Sequence, residues 1–185
     1  MSLTDSRELK FARSLAVAGL GIGTGVMATI PFLSIPVLFS PNTHLTPDVR
    51  LRLWSRLFDR ISGAMAPWTM INAALSALVA WQVRDGRGLT LEGNWWGRNR
   101  KIILAFSALS NLLIAPYSIF ILYPINRRLK SIEADLSKHD DHAARAATAH
   151  QADLILESKW PRVYMGKVVL GAIALGLAVG ELGFA

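Results

Sequence analysis

The chain has 185 residues, 52% of them hydrophobic, and a positive mean hydropathy, more apolar than a water-soluble domain of this length. Its 20 Lys and Arg against 13 Asp and Glu leave a net charge of +7, yet the cations lie between long apolar stretches rather than on one periodic face, which argues against a nucleic-acid partner and for a lipid bilayer. Without cysteine there is no disulfide, no thiolate metal ligand and no cysteine nucleophile.

An apolar helix needs about 20 residues to cross a hydrocarbon core of about 30 Å. Four segments reach that length, roughly 14–39, 63–83, 101–125 and 163–184, and charge bounds them: Arg13, Arg60, Arg84, Arg100, Lys101, Arg127, Arg128 and Arg162. Lipid offers the backbone no hydrogen-bond partner, and no segment alternates with period two. The expected fold is therefore all-α, a single integral membrane domain over 1–185 built as a four-helix bundle. The first span, from Leu15 to Phe39, is longer than a cleavable signal core and is expected to stay in the mature protein.

That first span carries Gly19, Gly21, Gly23 and Gly25, and the last carries Ala172, Gly176 and Gly180, small residues at four-residue spacing. In lipid such ridges bring helix backbones together, within one bundle or between two copies in a homo-oligomer. Pro31 and Pro36 in the first span and Pro116 in the third each remove a backbone donor and bend their helices, with or without opening a cavity. Beyond the first span His44 lies in a loop with Asn42 and Asp48. From Pro47 to Arg60, Val49, Leu53, Leu57 and Ile61 recur at helical spacing with four arginines elsewhere on the wheel, which predicts an amphipathic helix at the membrane interface or capping the bundle. Inside the spans, Asn72 and Asn111 are expected to hydrogen-bond between helices, while Ser107, Ser110 and Ser118 can bond their own backbone.

The 84–100 connection, with Gly86, Gly88, Gly93, Gly97, Trp95 and Trp96, reads as a turn-rich loop at headgroup level. The third span ends in Ala115-Pro116-Tyr117-Ser118 and then Tyr123-Pro124-Ile125-Asn126-Arg127-Arg128, an edge that serves as interface anchor or presents an amide and a guanidinium to a polar ligand. Residues 127–160, alanine-rich and charged in both signs, predict a helical extension outside the bilayer that turns near His139 to Asp141 and returns. On the returning helix His142, His150, Asp153 and Glu157 fall on one side, a solvated polar face or part of a copper or iron site. Lys and Arg number eight in the N-terminal tail and 84–101 loop against eleven in the other two loops, a weak lean to both termini outside the cytoplasm. No phosphate-binding loop, nucleotide fingerprint, nucleophile elbow or zinc-protease helix is present; Gly19 to Gly25 lies in a span, with no strand before it.

Several features together resemble the small membrane proteins of the fungal anthrone oxygenase-like family. They are the glycine-rich first span ending Met27-Ala28-Thr29-Ile30-Pro31, then Trp54 and Phe58 followed by Gly63 and Pro67, Pro116-Tyr117-Ser118 leading to Pro124-Ile125-Asn126-Arg127-Arg128-Leu129, and Trp160 opening the fourth helix. Four and seven places after Trp160, where the family pattern leads one to expect a polar residue and an arginine, this chain has Tyr164 and Lys167. The resemblance implies an oxidoreductase of secondary metabolism, in the endoplasmic reticulum or another internal membrane, oxidising polyketide anthrones to anthraquinones with O2 and no bound cofactor. It also implies the roles: Trp54, Phe58, Tyr117 and Trp160 contact the flat aromatic substrate, Asn126 and Arg127 steady the oxyanion, and His44 or Tyr164 removes the proton. The alternatives are the same oxygenase with copper or iron held by His142, His150, Asp153 or Glu157, and a non-enzymatic four-helix scaffold or carrier of a hydrophobic solute.

Overall fold

The structure, a computed structural model, describes residues 7–83, 95–136, 138 and 142–184, the side chains of His142 and Phe184 excepted. Among the described residues every element is helical. α1 (Arg7–Thr29) continues through a π turn (Ile30–Ser34) into α2 (Ile35–Leu38); a 3₁₀ turn (Pro41–Thr43) leads to α3 (Pro47–Gln82). After the short α4 (Trp95–Arg98) come α5 (Arg100–Leu112), α6 (Ile114–Tyr117), a second π turn (Ser118–Leu122) and α7 (Tyr123–Leu136). α8 (His142–Leu154) then joins α9 (Trp160–Phe184) through a third π turn (Ile155–Lys159).

Four helical stretches are long and apolar enough to cross a bilayer: Arg7–Leu38, Pro47–Gln82, Arg100–Leu136 and Ala143–Gly183. These cover the four expected spans to within one residue, and this is a multi-pass membrane protein. Large apolar side chains such as Phe11, Phe32, Phe106, Phe120 and Val179 point outward, the pattern expected where the surroundings are themselves apolar. The segment from Pro47 to Arg60 is helical as expected, but it is the opening of one 36-residue helix and not a separate element. The face it turns into the protein is not the Val49–Leu53 stripe. Leu51, Trp54 and Ser55 are buried, whereas Val49 and Leu53 are exposed at 38% and 40%, because lipid lets aliphatic side chains face outward and the interior takes the aromatic and polar ones.

The π turns share a local cause. In each, the amide of the residue just before a proline donates to the carbonyl five residues back: Ile35 to Ile30, Tyr123 to Ser118 and Trp160 to Ile155, with Pro36, Pro124 and Pro161 next in the chain. Proline has no N–H and its ring crowds the carbonyl four residues earlier, so the helix widens by one residue instead of breaking. The expected kinks at Pro31 and Pro36 thus fall in and just after a π turn, whereas Pro116 lies in α6, just after the turn at Leu113 that ends α5.

The chain divides into two compact units, one of residues 1–25, 66–115 and 168–185, the other of 26–65 and 116–167. In the first, α1 and α3 meet at Gly19, whose carbonyl accepts from Trp68 Nε1 at 3.1 Å and whose missing side chain is filled by the Asn72 amide. Gly23 faces the Trp68 indole and Gly180 the Trp96 ring, whereas Gly25 and Gly176 have open space, so only part of each small-residue ridge makes close contacts within the chain. Asn111 donates across to the Thr69 carbonyl as expected, while Asn72 bonds its own helix at Trp68. Ser107 departs from expectation: its hydroxyl donates to the Ala174 carbonyl on α9 at 2.6 Å, since the alanine-lined face of α9 leaves that carbonyl within reach. Adding a methyl at Gly19 forces the buried Asn72 aside, so Gly19→Ala is expected to destabilise the protein by about 1–3 kcal/mol, measured by thermal unfolding in detergent.

In the same unit a charge network passed over in the sequence lies buried. Glu181 is 1% exposed and receives Arg13 through two hydrogen bonds of 3.1 and 2.8 Å and Arg100 through one of 2.9 Å. A lone carboxylate in an apolar span was the available signal. The loop glycines Gly86, Gly88 and Gly93 and the turn at His139 to Asp141 lie outside the described residues.

Candidate active site

The second unit contains four aromatic rings in mutual contact, brought together by α3 and α9. Trp54 stacks on Phe58, one turn along α3, with centroids 5.3 Å apart and planes at 14°. On α9, Trp160 stacks on Tyr164 at 4.7 Å and 24°. The two stacks meet edge to face, Trp160 lying 5.8 Å from Trp54 and 6.1 Å from Phe58. Trp54, Trp160 and Tyr164 are fully buried and Phe58 is half-buried. The i, i+4 spacing on each helix produces the stacks. The π turn before Trp160 sets the phase of the second.

α7 supplies the polar member. Asn126, buried, accepts the Trp160 indole N–H on its amide oxygen at 2.8 Å, which orients the side chain and leaves its NH2 with no hydrogen bond among the described residues. The Trp54 indole N–H is likewise buried with no partner there. Tyr117 donates to the Val163 carbonyl at 2.7 Å, passing over Gly166, where any side chain would collide with the phenol. Lys167 places its ammonium 5.2 Å from the centre of the Tyr164 ring.

Of the residues singled out in the sequence, Trp54, Phe58, Trp160, Tyr164 and Asn126 thus converge, and Tyr117 braces α9 close by. Arg127 is exposed on α7, on a different side from buried Asn126. His44 is exposed after the 3₁₀ turn, with a left-handed backbone (φ 46°). The metal reading is not supported by the arrangement. Among the described residues no three His, Cys, Asp or Glu side chains come together as a metal requires, and the side chain of His142 lies outside them. The expected common face is not kept: Asp153 is buried against Arg50, with Oδ2 3.0 Å from the guanidinium, while His150 on the same helix α8 and Glu157 in the third π turn are exposed.

The model of the family described as anthrone oxygenase matches residues 54–177. The chain belongs to the anthrone oxygenase family. No curated protein and no solved structure matches it. The anthrone oxygenase match opens at Trp54 and takes in the whole aromatic cluster, Asn126, Tyr117 and Lys167. Arg13, His44, Arg50 and Glu181 fall outside it.

Proposed function

We propose that this anthrone oxygenase family member oxidises an anthrone-type polyketide to the anthraquinone, with O2 as co-substrate and no resident cofactor. The observation that carries the proposal is an aromatic cluster whose two polar groups without a partner among the described residues, the Trp54 indole N–H and the Asn126 NH2, are both donors. A flat tricycle with a ring carbonyl complements such a site. Phe58, the half-buried ring, stacks face to face on Trp54, so its displacement offers the incoming tricycle that same surface.

The chemistry closes without an added reductant. Loss of a proton from the central methylene sends its C–H electron pair to the ring carbonyl, giving an aromatic enolate whose oxygen the two donors hold. The enolate passes one electron to O2 and the radical pair couples at carbon, giving after protonation a hydroperoxide. Loss of water from it leaves the quinone carbonyl, so CH2 and O2 become C=O and H2O. Of the two proton acceptors suggested by the sequence, Tyr164 lies in the cluster and His44 on an exposed turn.

The test is purified protein in lipid nanodiscs with emodin anthrone, following quinone absorbance and O2 uptake. Expected is protein-dependent quinone formation with one O2 consumed per quinone. A rate equal to that of empty nanodiscs would exclude the activity on this substrate.

A further inference from the structure

Asp153 has no place in the chemistry so far, yet it is the buried carboxylate of this unit. Its residue is 7% exposed; Oδ2 is held by Arg50, and Oδ1 has no hydrogen-bond partner among the described residues. Arg50 is itself fixed: its Nε donates to the Leu45 carbonyl at 3.0 Å and its guanidinium lies 5.0 Å from the centre of the Phe39 ring. The carboxylate is therefore oriented, with one oxygen neutralised and the other open.

Its placement relates it to the aromatic cluster. Arg50 precedes Trp54 by one turn of α3, and Asp153 precedes Trp160 through the π turn. The contacts Arg50 to Asp153 and Trp54 to Trp160 run in the same order along both helices. Helical side chains lean towards the N-terminus of their own helix, so both indoles lean towards the turn that carries the ion pair. Trp54 Nε1 and Asp153 Oδ1 are two buried groups of opposite character, a donor and a base, each left open on helices that touch.

We infer that Asp153 is the carboxylate that takes the substrate's proton, with Arg50 as the residue that positions it, a role that rests on the anthrone-oxidising reading above. The ligand class is an aromatic ketone bearing an acidic C–H across the ring from its carbonyl. Trp54 N–H takes the carbonyl oxygen; the methylene C–H breaks, its electron pair moves onto that oxygen, and the proton goes to Oδ1. After O2 couples at carbon, the same proton passes to the peroxide oxygen, which returns Asp153 to its charged form.

Proton abstraction is separable from oxidation by working without oxygen. In anaerobic D2O the wild type in nanodiscs should exchange the methylene hydrogens of emodin anthrone for deuterium faster than empty nanodiscs do, read by mass spectrometry. Asp153→Asn should lower both exchange and quinone formation about a hundredfold, the range for loss of a general base, while still binding emodin, read by tryptophan quenching. Arg50→Lys should lower kcat and leave KM nearly unchanged. An Asp153→Asn protein that exchanges and oxidises at the wild-type rate overturns the role and leaves the oxygenase reading intact. A wild type that forms no quinone removes both. Should the Asn variant not fold, Asp153→Glu decides: the carboxylate persists but its oxygen is displaced, so an unchanged exchange rate also overturns the role.

Discussion

Glu181→Ala is expected to destabilise the folded protein by about 3–5 kcal/mol, because it leaves buried Arg13 and largely buried Arg100 without their counter-charge. Arg13 reaches Glu181 with Nε and a terminal nitrogen, and the same nitrogen also approaches the Glu181 backbone carbonyl at 3.4 Å; Arg100 takes one of the carboxylate oxygens as well. The three residues come from α1, α5 and α9, so one carboxylate fastens three helices of the first unit. Arg13 and Glu181 are buried and Arg100 largely so, and the low energies of exposed pairs are not expected here. Unfolding by SDS titration from mixed micelles measures the loss. Replacing Arg13, Arg100 and Glu181 together by methionine should recover most of it, since no stranded charge then remains. A single Glu181→Ala protein within about 0.5 kcal/mol of the wild type would show that water reaches the cluster and solvates the arginines.

Asn126→Ala should lower kcat for anthrone oxidation by about a hundredfold, the loss typical of removing one donor to a developing oxyanion. The proposal gives this amide a second role beside the bond it makes in the fold. Its oxygen accepts from Trp160 at 2.8 Å, a structural bond whose loss strands a buried indole N–H at about 1–3 kcal/mol, and its NH2 is the open donor. Asn126→Asp keeps an acceptor for Trp160 but removes the donor and sets a negative charge against the enolate. It should be at least as inactive as the alanine variant while melting closer to the wild type. Full activity in Asn126→Asp would place oxyanion stabilisation elsewhere.

How much of this was legible beforehand varies from residue to residue. Trp54, Phe58 and Trp160 were singled out with Asn126, and the structure gathers them; that they stack in two pairs meeting edge to face needed the relative positions of α3 and α9. The amphipathic wheel of Pro47–Arg60 did not say which residues turn into the protein, because hydrophobicity does not distinguish inside from outside when the solvent is hydrocarbon. The helical extension before the fourth span was foreseen, but not that Asp153 would turn inward on α8 while Glu157, in the third π turn, stays outside. The sequence carries a proline two residues past each π turn, Pro36, Pro124 and Pro161.

Span length, flanking charge and the absence of period-two alternation belong to the chain alone, because crossing a bilayer imposes a length and a backbone-bonding requirement on each segment by itself. The sequence by itself therefore determined four membrane helices and, through its motifs, the family. Which polar groups meet was decided only by tertiary structure. Arg13 and Glu181 are 168 residues apart, and Asn126 and Trp160 are 34 apart. No local propensity couples positions so separated; the packing of neighbouring helices does, and it leaves the Trp54 indole and one Asp153 oxygen without partners among the described residues.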